Sequence, residues 1–254
     1  LLNRLHRDVA GPFTVEDTAR ILSLDPARAR RLLAHLASQG WLARVRRGLY
    51  SVVPLGASGW HEDPWVVATK LFTPCYIAGW SAAEHWDLTE QIFREVVVIT
   101  TTPVRHTRLV VQDTPYRLKF ADAKHLFGTA PAWRGTTKVL VSDPSRTVVD
   151  LLADPAIGGG IRHVTQILRS YFSSEHRDDR ALVRYATRLG NRAVFKRLGF
   201  LTELLRIEAP ALIKHAMNHK SAGLSFLDPS IRRRGRILKR WNLRVNADLD
   251  EEAA

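Results

Sequence analysis

The chain has 254 residues, 45% of them hydrophobic, and a formal net charge of +13. A hydrophobic share of that size excludes wholesale disorder, and the length suits two modest domains better than one small core. The single cysteine, Cys75, excludes an intrachain disulfide, and no apolar run approaches the roughly 20 residues that span a bilayer.

No basic-then-apolar leader opens the sequence, so the expectation is a soluble, cytoplasmic protein with no membrane partner. The sequence starts on Leu1 rather than methionine, which suggests that residues precede it. Charge is unevenly spread: residues 1–60 carry net +5, residues 61–155 net −1 and residues 156–254 net +9. Two basic ends flank a neutral middle, and cationic surfaces attract polyanions, nucleic acid above all.

Residues 1–10 read as a short helix ended by Gly11-Pro12. In "FTVEDTARIL", Thr14 is placed to cap a helix with Asp17 three residues on, and Val15, Ala19 and Leu22 form its apolar stripe. "SLDP" is a turn. Asp25 caps the next helix and Pro26 takes its first position, where a missing N–H costs nothing. That helix runs to about Gln39 and Gly40 closes it. "WLARVRRGLYSVVP" then reads as two short strands joined at Arg47-Gly48, with Pro54 ending the unit.

Helix, helix, short turn, helix and hairpin is the order of a winged helix-turn-helix. At about 100° per residue, Ala29, Leu32, Leu33 and Leu36 share one face of the third helix. The opposite face carries Arg31, Ala34, His35 and Ser38, with Arg28 and Arg30 on its flanks. Arginine bonds guanine in a bidentate way and alanine permits close approach, so this face suits a major groove. Arg44, Arg46 and Arg47 then belong to the wing, along the phosphate backbone or in the minor groove. Alternation sets Arg44 and Arg46 on one strand face, Trp41 packs on the helices, Leu49 returns to the core, and Tyr50 either packs or donates to a phosphate.

Residues 55–66 look like a linker into a helix. The centre of "PCYIAGWSAAEHWDLTEQ" reads as a helix with Ser81 near its cap and Leu88 closing it. "EVVVITTT" is the strongest strand, and "RLVVQDTPYRLKFA" gives two more with a turn near Asp113-Thr114-Pro115. "KVLVSDPSRTVVDLLADP" is a strand, an Asp143 cap with Pro144 behind it, and a short helix. From residue 161 the chain looks helical, and its end, "SIRRRGRILKRWNLRV", is basic with strands or turns.

Catalytic chemistry is sought and not found. His215 and His219 sit at i, i+4, but no glutamate completes a zinc-protease motif, so no metal is expected. "AIGGGIRH" lacks the Lys-Ser/Thr of a phosphate loop and reads as a flexible connection between helices. Asp143, Asp150 and Asp154 suggest a metal-dependent nuclease only loosely, because Asp143 is simpler as a cap. Gly199 sits inside a helical run, which points to close packing.

The order of "RRGLY" before Pro54, "GWSAAEHWDLTEQ" (79–91), "VVVIT" (96–100), "SDPSRTVVDLL" (142–152), "GGGIRH" and "KRLGFLTELL" resembles the AbiEi-type antitoxins of type IV toxin–antitoxin systems over nearly the whole chain. One departure is Asp87, where glycine is expected after a helix; Asp tolerates left-handed backbone better than most residues. The resemblance implies a transcriptional autorepressor that binds inverted repeats upstream of its own operon and counters a nucleotidyltransferase-like toxin.

The expected fold is α+β: a winged helix-turn-helix over 1–58 and a larger antitoxin domain over 59–254. The latter is mixed α/β over 59–155, mainly helical and bundle-like over 156–227, and basic over 228–254. The expected partner is double-stranded DNA, with no enzyme activity, cofactor or metal. The DNA-contacting set is Arg28, Arg30, Arg31, His35, Ser38, Arg44, Arg46 and Arg47, with Arg232, Arg233, Arg234 and Arg236 as a second phosphate-contacting patch. Alternatives are a DNA-binding regulator with a small-molecule-sensing C-terminal domain and a metal-dependent nuclease.

Overall fold

The structure is a computed structural model and describes residues 4–5, 8–9, 11–57, 59–232 and 234–249. It is a mixed α+β fold in two compact units. Unit 1 comprises residues 1–76, 94–120 and 131–140; unit 2 comprises residues 77–93, 121–130 and 141–254.

Unit 1 begins with β1 (Phe13–Thr14), α1 (Val15–Leu22), α2 (Pro26–Ser38), β2 (Leu42–Arg46) and β3 (Leu49–Val52). The strands form a small antiparallel sheet in the order β1-β3-β2. Leu5, Phe13, Val15, Ala29, Leu33, Leu42 and Tyr50 are its buried core, with Leu22 and Leu36 packed against them. Arg4, Leu5 and Asp8 are helical, and the rest of the helix expected over 1–10 falls partly on residues outside those described.

The largest sheet has six strands: β4 (Cys75–Ile77), β5 (Val96–Thr100), β6 (Arg108–Val111), β7 (Thr114–Phe120), β8 (Thr129–Arg134) and β9 (Thr137–Ser142). Its order is β6-β7-β5-β4-β9-β8, with β5 parallel to β7, β4 parallel to β9 and β6 antiparallel to β7. β5 is buried at every position, which is why "VVVIT" is continuously apolar up to its last residue. The β6–β7 turn is Gln112-Asp113, both at positive φ (46° and 61°), as a tight two-residue hairpin requires. It falls just ahead of the expected position because Thr114 and Pro115 already pair in the sheet. Burial pushes the pKa of the Cys75 thiol up to about 12. Helix α3 (Pro64–Phe72) is capped by Asp63.

Helix α4 (Gly79–His85) departs from expectation at its start. Ala78 occupies the cap position with no side-chain bond, and Ser81 is buried inside the first turn. At its end Asp87 adopts φ 54°, while Leu88 N–H donates to Ala83 O at 2.9 Å. Aspartate thus fills the left-handed position that usually favours glycine.

Unit 2 is dominated by α5 (Pro144–Ala153), α6 (Ile161–Ser173), α7 (Asp179–Leu189), α8 (Ala193–Leu204) and α9 (Pro210–His219). A three-stranded sheet follows: β10 (Ser225–Phe226), β11 (Arg236–Leu238) and β12 (Leu243–Val245), in the order β10-β12-β11. Two arginines are buried here. Arg146 Nε meets Asp150 Oδ1 at 2.9 Å with both side chains almost fully enclosed. Arg197 donates to the carbonyls of Leu152 (2.6 Å), Phe226 (2.8 Å) and Leu227 (2.9 Å), and burial lowers its pKa to about 10. Lys196, also buried, reaches Gly223 O and Ser225 Oγ, so adjacent residues of α8 hold β10 from one side.

Gly199 has the packing role its position suggested: a Cβ there would overlap the six-membered ring of Trp241, which is wholly buried. The glycine run is tighter than a flexible connection. Gly158 packs on Leu151 and Val164, and Gly159 and Gly160 take φ 82° and 99°. The N-terminus of α6 is already occupied from within, since Asp228 Oδ2 accepts Ile161 N–H at 2.8 Å.

Candidate nucleic-acid interface

The local signals that shape α1 and α2 are satisfied as side-chain geometry. Asp17 N–H donates to Thr14 Oγ1 and Thr14 N–H to Asp17 Oδ2, both at 3.1 Å, which is a complete capping box. Ser23 at φ 54° ends α1, and two residues later Asp25 accepts Arg28 N–H at 2.9 Å to start α2. That bond holds the Asp25 carboxyl below its usual pKa. Gly40 at φ 77° closes α2, and Trp41 N–H returns to Leu36 O.

With Ala29 and Leu33 fully buried, the remaining orientation of α2 is fixed. Arg28, Arg30, Arg31, His35 and Ser38 are all directed away from that core, and the three arginines are exposed. Ser38 is partly committed, because its hydroxyl donates to His35 O at 2.7 Å. None of the three arginines makes a side-chain hydrogen bond or ion pair among the described residues.

The β2–β3 hairpin differs from simple alternation. Arg44 pairs with Tyr50 and Arg46 with Leu49, so Val45 is an extra residue in a β-bulge. The bulge lets Leu42 and Val45 both face the core although they are three apart, and it leaves Arg44 and Arg46 exposed. Arg47 is exposed at the turn beside Gly48, whose φ of 81° favours glycine. One expectation is corrected: Trp41 is 47% exposed rather than packed on the helices. Of the two roles open to Tyr50, the structure has it packed in the core. Leu49 is buried as expected.

The second basic group lies in unit 2. Arg232, Arg234 and Arg236 are exposed, and Arg233 lies outside the described residues. This stretch is tethered at its base. Asn246 Nδ2 donates to Asp228 O at 2.7 Å and to Arg232 O at 3.1 Å, while Asp228 N–H donates to Asn246 Oδ1 at 3.0 Å. Gly235 lies so close to Val245 O that any Cβ would overlap it. Arg232 and Arg234 therefore lie between β10 and β11 beside these tethers, and Arg236 opens β11.

The carboxylates once open to a catalytic reading have structural partners. Asp143 accepts Arg146 N–H at 2.8 Å as the α5 cap and the Tyr185 hydroxyl at 2.7 Å. Asp150 is paired with Arg146. The rings of His215 and His219 stack at 3.9 Å, and His219 Nδ1 lies 2.9 Å from His215 O. No group of three or more metal-ligating side chains occurs among the described residues. No helix among them is long and apolar enough to cross a membrane. Arg134, a partly buried cation of β8 near the Asp63 carboxylate, carries no mark in its local sequence.

Comparison with known proteins bears on both ends of this description. Residues 1–53 match the family described as "Transcriptional regulator, AbiEi antitoxin", so the resemblance read from the sequence is shown for the N-terminal segment. No curated protein sequence matches the chain. A solved structure, the RV2827C protein from Mycobacterium tuberculosis, is similar with a TM-score of 0.64 at 17% identity, over 95% of this chain and 88% of that one. At that identity the likeness is one of fold.

Proposed function

We propose that this chain is an antitoxin that represses its own operon, with residues 1–58 as a winged helix-turn-helix and residues 59–254 as the antitoxin domain. The family match over residues 1–53 supports an antitoxin and transcriptional regulator. The observation that carries the DNA reading is the pairing of α2 with a bulged hairpin, each presenting exposed arginines with no side-chain hydrogen bond or ion pair among the described residues. In this reading α2 enters the major groove of an inverted repeat. Arg28, Arg30, Arg31 and His35 meet base edges or adjacent phosphates, with Ser38 at the far end of the helix. Arg44, Arg46 and Arg47 hold the wing on the backbone. Arg232, Arg233, Arg234 and Arg236 add a second phosphate contact. The functional partner is a nucleotidyltransferase-like toxin. A nuclease reading is disfavoured because Asp143 and Asp150 are both committed to structure.

The test is fluorescence anisotropy on the DNA upstream of the gene across a salt series. The expected result is preference for that DNA over a scrambled duplex, lost in Arg28→Ala/Arg31→Ala. Each bidentate contact removed lowers discrimination by about 1–3 kcal/mol. Equal affinity for both duplexes in the wild type would sink the repressor reading. The antitoxin half is tested by co-expression with the neighbouring gene, where growth is expected to be restored only when this chain is present.

A further inference from the structure

A cavity of about 220 Å³ lies within unit 1, against the inner side of β1 and β3. Phe13, Val52 and Trp60 give it an apolar wall, and Ser51, Glu62 and Arg134 a polar one. The two charged groups differ in what they already hold. Glu62 accepts the Ser51 hydroxyl on one oxygen and Asp63 N–H, at 3.1 Å, on the other. The Arg134 side chain makes no hydrogen bond among the described residues. Its guanidinium lies over the Trp65 ring at 4.1 Å, and Asp63 Oδ2 stands 3.9 Å away, beyond hydrogen-bond reach. The other Asp63 oxygen is taken by the N–H groups of Trp65 and Val66 as the α3 cap.

Arg134 Nε is shut off from water with no hydrogen-bond acceptor, while the side chain as a whole is 35% exposed and stands at ion-pair distance from Asp63. The two terminal nitrogens are not enclosed and have no hydrogen-bond acceptor among the described residues, so an incoming acceptor can take them. The planar guanidinium selects a carboxylate, which it grips with two parallel bonds. The aromatic wall selects a ring, and the volume admits one ring with a short side chain. Glu62 in the same wall disfavours a second negative charge.

The geometry points to a binding site for a small aromatic monocarboxylate, with the carboxylate on Arg134 and the ring between Phe13, Val52 and Trp60. Because β1 and β3 form part of the wall, an occupant braces the small sheet. The site is independent of the DNA-binding reading and stands or falls without DNA.

Phenylacetate and its uncharged counterpart phenylacetamide are titrated calorimetrically into the full chain. The expected result is saturable one-to-one binding of phenylacetate, weakened at least about tenfold for the amide, as removal of a charge-assisted bidentate bond implies. Arg134→Gln is expected to bind phenylacetate as weakly, and Val52→Trp, which fills the cavity, not at all. Hydrogen exchange at residues 49–52 should slow with phenylacetate alone. Absence of saturable phenylacetate binding, or equal affinity for acid and amide, overturns the site; both are read on the unaltered chain, so neither depends on a variant folding.

Discussion

Arginine serves two opposite ends in the two units. In the N-terminal part of unit 1, Arg28, Arg31, Arg44 and Arg46 are exposed, and their side chains make no hydrogen bond or ion pair among the described residues. In unit 2, Arg146 and Arg197 are buried and nearly all their bonding capacity goes to the protein itself. The difference teaches that a net charge of +13 is not one quantity. Part of it is surface charge available to a polyanion, and part is internal scaffolding that no partner meets. The two kinds respond to substitution in opposite ways, which makes the contrast testable.

The largest effect is expected at Arg197. Arg197→Ala strips donors from the carbonyls of Leu152, Phe226 and Leu227 at once, and the destabilisation is expected to be about 4 kcal/mol by urea denaturation. If Arg197→Ala shifts the midpoint no more than a surface substitution, the scaffold role is wrong. Next comes Arg146→Met, which leaves the enclosed Asp150 carboxylate without its arginine and is expected to cost about 3 kcal/mol. Gly199→Ala follows at about 2 kcal/mol, since overpacking against Trp241 outweighs the gain in helix propensity of about 1 kcal/mol. Gly199→Ala combined with Trp241→Leu should be less destabilised than the sum of the two alone, because the second change vacates the contested space. The smallest effect on stability is expected from Arg44→Ala/Arg46→Ala/Arg47→Ala, within about 0.5 kcal/mol of the wild type. The same triple change should flatten the salt dependence of DNA binding by about one unit of slope for each phosphate left unneutralised. A destabilisation comparable to that of Arg146→Met would erase the contrast between the two units.

The N-terminal elements were legible because each boundary has a signal within a few residues: Thr14 with Asp17, Asp25 with Pro26, Gly40 and Gly48. The strand β5 and the Asp143 cap were legible for the same reason. What escaped depends on distant partners. The two residues of β1 carry no pattern of their own and are strand only because they pair with β3. The bulge at Val45 is invisible to a rule of strict alternation, and Trp41 looks like a core residue in any sequence but is left outside this core. Arg146, Arg197 and Arg134 carry no local signal of burial; their surroundings are set mainly by carbonyls and rings far along the chain. The same holds for the candidate interface. Which arginines face outward on α2 follows from helix periodicity, whereas the tethering of Asp228 and Arg232 by Asn246 does not.

That tether, together with Trp241 beside Gly199 and Asp228 on α6, has a consequence in time. The segments that complete the core of unit 2 are synthesised after the helices they close. Helices α5 to α8 are made before the indole that packs against Gly199 and before the carboxylate that accepts from the α6 N-terminus. A nascent chain stalled before Trp241 should therefore stay protease-sensitive throughout its helical half, long after the N-terminal helices and hairpin have set.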